Sequence, residues 1–313
     1  MMMLPGMTRA PWMKTILLPA LFSAGLYVAA IALGLGFLFL FLSSLPLLLS
    51  GLRYGAGSCL LAGGIAGLLL SGIGAAEASV IYLLCIALPC GLMSYTLPRT
   101  RAVGEAREWF PMGLSLTHVT VYGCCVIAAC GLAYIGAPGG LEGVVSGMVQ
   151  QALDAYPEEY QPMVQRLSGP LSFLIFSVTG WLWVLALYFH AWLAIRWLRP
   201  RAPELRPSAG MTPFVMPRWV FSLLLLCAFA SVAGGPTTAY LGKTALMLLM
   251  LPYFLLGVAL MHAASQTWPN RQFFLFIIYF LLVAQLWPVL GLSLWGLAHQ
   301  IKYLSNRPSS SKH

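Results

Sequence analysis

Nine blocks of nearly uninterrupted apolar residues leave this chain few ways to fold. They span 15–34, 35–51, 60–74, 75–95, 110–136, 170–197, 219–234, 244–264 and 273–298. Most reach the roughly 17–25 residues that one helix needs to cross a bilayer. A bilayer core offers no water to backbone N–H and C=O groups, so a spanning chain is helical or a closed barrel. Continuous rather than alternating apolarity selects helices. The sequence therefore predicts an all-α polytopic transmembrane helical bundle of nine or ten segments. Composition agrees: 60% of the 313 residues are apolar and 8% are charged, too few charges to clothe a soluble surface.

The first block follows Arg9 and Lys14. It runs on through Pro46 and Leu49 with no cleavage-like exit, so it reads as a retained membrane segment rather than a signal peptide.

Basic residues favour cytoplasmic loops, which assigns a side to each connection. Arg9 and Lys14 place the N-terminus inside; Arg53, then Arg99, Arg101 and Arg107, each return there after two crossings. The 137–169 segment carries Glu142, Asp154, Glu158 and Glu159 against Arg166, which fits the outer face. Its stripe of Leu141, Val144, Val145, Met148 and Leu153 predicts an amphipathic helix along the membrane, as a lid or a connector. Arg196, Arg199, Arg201 and Arg206 are inside again. The block at 273–298, interrupted by Pro288, is one kinked helix or a tight hairpin. A hairpin leaves only Arg166 and Lys243 of 17 basic residues outside, so ten segments and a cytoplasmic tail are preferred over nine.

The chain thus divides into an N-terminal helix group at 1–198 and a cytoplasmic Pro/Arg-rich linker at 199–217. A C-terminal helix group follows at 218–301, with a disordered tail at 302–313. The net charge of +9 is spread between helices, not gathered on one soluble domain, so nucleic acid is not an expected partner; the lipid bilayer is.

All seven cysteines fall inside apolar blocks without a CxxC pair or histidines at ligand spacing. They read as packing residues, and no metal or cofactor is expected. No HExxH, P-loop, GxSxG or paired intramembrane aspartates occur, so the expectation is not an enzyme.

Ionisable residues within spans are few, and each is a site candidate by default. His118 and His190 sit within apolar surroundings as candidates for binding a ligand or carrying protons. The plainer reading is a neutral ring bonded to a hydroxyl, with Thr117, Thr120 and Tyr188 nearby. Glu77 and Lys243, both toward the outer side, could pair or bind a polar small molecule, or simply extend to water. Small residues at i, i+4 spacing (Ala20 and Ala24, Gly25 and Ala29, Gly63 and Gly67) permit close helix approach. The first pair is also a candidate docking face for another membrane subunit.

The C-terminal third carries Pro217-Arg218-Trp219, then Pro252-Tyr253-Phe254-Leu255-Leu256-Gly257 leading to His262, then Tyr279, Trp287-Pro288 and Gly291. This order resembles the YybS-like family of uncharacterised bacterial membrane proteins, and the resemblance implies the bacterial inner membrane. Lys243 stands where that family often has asparagine. The N-terminal half, with Ala20-x3-Ala24, Pro46 and a Gly-rich helix after Arg53, is similar to substrate-binding components of energy-coupling-factor vitamin transporters. That resemblance implies solute binding or transport and a docked transmembrane partner. A membrane scaffold for an envelope complex is the alternative.

Overall fold

A computed structural model describes residues 12–34, 37–103, 106–154, 161–206, 214–285 and 287–306. The expectations for Arg9, Pro157, Glu158, Glu159 and most of the 302–313 tail fall outside those residues. The structure is helical almost throughout, as the apolar blocks predict. Among the described residues, five helices are long and apolar enough to span a membrane: Met13–Ala32, Ala76–Thr96, Met112–Ala133, Ser172–Arg201 and Pro236–Thr267. A sixth candidate is a bent pair, Arg271–Ala284 and Trp287–Ser305, and Leu40–Tyr54, Ala56–Gly72 and Arg218–Ala233 are shorter apolar helices. Every expected block is helical, but three fall below the length of a full span. The last block, expected as one kinked helix or a tight hairpin, is two helices whose axes meet at a bend of 113°. The second half opens with Pro288 in its first turn, where the missing N–H costs nothing.

The chain forms two compact units: residues 1–115 with 182–208, and 116–181 with 209–313. The cut after 208 lies inside the expected linker, but 116–181 group with the C-terminal helices rather than with the N-terminal group.

The first unit holds α1 (Leu18–Ala32), α2 (Phe37–Leu42), α3 (Ser44–Tyr54), α4 (Ala56–Gly72), α5 (Ala76–Tyr82) and α6 (Leu88–Thr96). Two π-helical turns, Met13–Leu17 and Leu83–Ala87, run into α1 and α6. Each ends two residues before a proline, Pro19 or Pro89. Proline cannot donate to the carbonyl four residues back, and in hydrocarbon that carbonyl needs another donor. The Ser50 hydroxyl donates to the Thr15 carbonyl, and Trp183 Nε1 donates to the Cys85 carbonyl at 2.6 Å. On α4, a Cβ at Gly63 would lie 2.6 Å from Ala87 Cβ, and one at Gly67 2.8 Å from Leu83 Cδ2. Glycine therefore sets how closely α4 meets the helix from α5 to α6.

Ala20 is fully buried and Ala24 is 7% exposed, on a helix packed against α3 and α4. The pair therefore serves internal packing within this chain, the plainer reading of its spacing, rather than an open docking face.

Between α6 and α7 (Met112–Ala133) the chain makes a β-hairpin, β1 (Thr100–Val103) paired antiparallel with β2 (Ala106–Trp109). Thr100 lies opposite Trp109 and Arg101 opposite Glu108, the latter pair bridged at 2.7 Å.

The second unit holds α8 (Gly140–Leu153), α10 (Arg218–Ala233), α11 (Pro236–Ala264), α12 (Arg271–Ala284) and α13 (Trp287–Ser305). The long α9 (Gln161–Leu198) and α7 contribute to both units. α8 is the expected amphipathic helix, and its buried Leu141 and Val145 pack on Tyr240. Met148, expected in the same stripe, is 63% exposed. A Cβ at Gly257 would lie 2.0 Å from the Leu292 carbonyl oxygen, and one at Gly296 2.0 Å from that of Tyr253. The pairing of 257 with 292 and 253 with 296 makes α11 and α13 antiparallel.

Candidate functional site

The residues singled out for chemistry are divided between the two units, Glu77 and His190 in the first and His118 and Lys243 in the second. Glu77 is exposed in the first turn of α5. Lys243 is exposed about two turns inside α11, which begins at Pro236 rather than at residue 244. The two belong to different units, and neither joins an ion pair among the described residues. His118 is half-buried on α7. His190 is buried at 7% exposure and its Nδ1 shares a 2.9 Å hydrogen bond with Ser44 Oγ. A histidine bonded to a hydroxyl is the plainer of the two sequence readings, although the hydroxyl comes from α3 and not from a near neighbour in sequence.

That bond belongs to a layer of polar side chains inside the first unit. Ser23 Oγ donates to the Ser43 carbonyl at 2.6 Å and lies 2.5 Å from the Tyr82 hydroxyl. Tyr82 meets Tyr27 edge-on at 5.2 Å between ring centroids. Ser43 Oγ turns back to the Leu40 carbonyl at 2.6 Å, where α2 passes into α3. These groups satisfy one another, as buried polar groups must.

In the second unit, the conspicuous residues of the C-terminal third converge. Arg271 Nη2 lies 3.3 Å from His262 Nδ1, and His262 Nε2 lies 2.6 Å from the Tyr279 hydroxyl. Arginine only donates, so Nδ1 accepts; the ring proton then sits on Nε2 and is donated to Tyr279. Arg271 Nε also reaches Ser265 Oγ at 3.3 Å. The arrangement ties the start of α12 to the end of α11.

Among the described residues, two cavities of the first unit are lined by charged side chains: one of about 580 Å³ at the hairpin, with Arg99, Arg101 and Glu108, and one at the ends of three apolar helices, where the charges lining it are all positive. Lys14 in the turn before α1, Arg53 in the last turn of α3 and Arg201 just past α9 line a cavity of about 330 Å³. Ser50, Tyr54 and Trp197 complete its polar and aromatic rim. The volume falls within the roughly 300–1,000 Å³ of small-molecule sites. Arg53 Nη1 meets Glu204 Oε1 at 3.3 Å, with both side chains substantially exposed. A surface pair of that kind is weak, so Glu204 offsets little of the charge of the three cations. Arg206 Nη1 nearby donates to the Phe110 carbonyl at 2.6 Å, which fastens the base of the hairpin to the segment after α9. Burial lowers the Arg206 pKa, an effect that Tyr188 opposes, and its guanidinium still carries its charge.

Every residue of this pocket is visible in the sequence, where Lys14, Arg53 and Arg201 read only as orienting charges. What brings them together is the packing of α1, α3 and α9, which apolar periodicity does not encode. Among the described residues no group of three His, Cys, Asp or Glu side chains is placed to hold a metal ion. Of the free cysteines, Cys59 and Cys90 are buried and Cys125 is exposed.

No family model, no curated protein and no solved structure matches this chain.

Proposed function

We propose that the protein is a multi-pass protein of the bacterial inner membrane, N-terminus cytoplasmic, that binds a small anionic ligand as a solute-binding or transport component rather than as an enzyme. The observation that carries this reading is the cavity lined by Lys14, Arg53 and Arg201 and by no acidic side chain, with Glu204 paired to Arg53 beside it. Charges of one sign held at neighbouring helix ends repel unless a counter-charge arrives, and a bound anion supplies it. The resemblance of the C-terminal third supports the membrane location in this reading, and that of the N-terminal half to transporter components supports solute binding. The site differs from the outer-side location that Glu77 and Lys243 suggested, because those residues are exposed and neither joins an ion pair among the described residues.

Purified full-length protein, screened by thermal unfolding against anionic and matched neutral small molecules and amphiphiles, tests the reading. A ligand at a hundred times its Kd stabilises by about 2.7 kcal/mol. An anion-selective rise in Tm that Lys14→Gln diminishes is expected. Equal responses to anionic and neutral compounds, or a response unchanged in Lys14→Gln, would contradict it.

A further inference from the structure

Charge accounts for only part of the pocket, since most of its wall is hydrocarbon. Leu18, Pro19, Phe22, Pro46, Leu49 and Leu198 line it beside the three cations. Leu18 is 41% and Phe22 63% exposed on α1, within a helix apolar enough to span the bilayer. That part of the wall therefore opens onto the surface acyl chains cover. Trp197, 57% exposed, sits at the end of α9 beside the arginines, the residue type enriched at headgroup depth. A water-soluble anion would use the cations and leave the apolar wall empty. An amphiphile uses both, and basic pockets between membrane helices on the cytoplasmic side suit anionic headgroups.

Resting on the anion-binding reading above, we infer that the pocket takes the phosphodiester headgroup of an anionic glycerophospholipid. Its phosphate lies among Lys14, Arg53 and Arg201, and its glycerol and first acyl carbons lie against Leu18, Phe22 and Leu49. Delipidated full-length protein in detergent is titrated with phosphatidylglycerol, with phosphatidylcholine and with sn-glycerol 3-phosphate, and bound species are counted by native mass spectrometry. Phosphatidylglycerol is expected to bind more tightly than either other probe. The double variant K14Q/R201Q is expected to lose about thirtyfold in that affinity, the effect of two interfacial cations, while K14R/R201K retains it and reports that the fold is intact. If sn-glycerol 3-phosphate binds as tightly as the lipid and K14Q/R201Q weakens it, the anion site stands and the lipid inference falls. Equal binding of the two lipids, or a preference that survives in K14Q/R201Q, also overturns the inference. No binding of phosphatidylglycerol overturns the inference, and the anion-binding reading then stands or falls by the thermal screen above.

Discussion

A proline within a membrane helix leaves a carbonyl four residues back that water cannot serve, and this protein answers with single side chains from neighbouring helices. Ser50 serves the Thr15 carbonyl for Pro19, and Trp183 serves the Cys85 carbonyl for Pro89. Hydrogen bonds between membrane helices contribute about 0.6 kcal/mol on average and up to about 1.7. A carbonyl whose partner four residues on is a proline belongs at the upper end. Trp183→Phe keeps most of the packing and removes only the donor, so it is expected to destabilise the protein by about 1–2 kcal/mol. Trp219→Phe, on a side chain 46% exposed, serves as the control and is expected to be near neutral. Denaturant unfolding of the two variants in one detergent checks the difference, and equal stabilities would remove the role assigned to Trp183.

At the level of elements, α11 and α13 approach so closely that backbone of one helix fills the space a side chain would take on the other. Even one methyl group at Gly257 would lie 2.0 Å from the Leu292 carbonyl, so Gly257→Ala must push the helices apart, at about 1–3 kcal/mol. Gly25, with nothing within 4 Å of a built Cβ, gives the opposite expectation: alanine there is neutral or stabilising by up to about 1 kcal/mol through helix propensity. Thermal unfolding of both variants separates contact from propensity. The helices themselves were legible, because an apolar run in lipid has one way to satisfy its backbone. The amphipathic α8 was legible too, since Leu141 and Val145 repeat at helical spacing. The β1–β2 hairpin was not foreseen, although Gly104-Glu105 between short flanking runs is a two-residue turn signal; basic residues there drew the reading toward topology. Pro288 correctly marked an interruption, but a proline fixes where a helix breaks and not the angle at which the chain resumes. The candidate site was the least legible part, because it depends on three helix ends drawn from residues 14, 53 and 201, and only tertiary packing decides that they meet.

Across the molecule, the charge pattern and the packing of the first unit support one another. Orientation by basic loops requires Lys14, Arg53 and the residues after α9 to share a side of the membrane. The cavity that Lys14, Arg53 and Arg201 line, the Arg53 to Glu204 pair and the Arg206 to Phe110 bond place those loops and the hairpin base at one end of that unit. The positive-inside rule predicts that this end faces the cytoplasm, as proposed above. The most direct measurement is cysteine labelling from outside the cell in a protein otherwise free of cysteine. Asp154→Cys, after the exposed end of α8, is expected to react with a membrane-impermeant reagent, and Glu204→Cys, beside Arg53, is expected to react only after the membrane is permeabilised. Labelling of position 204 but not 154 in intact cells would contradict the account.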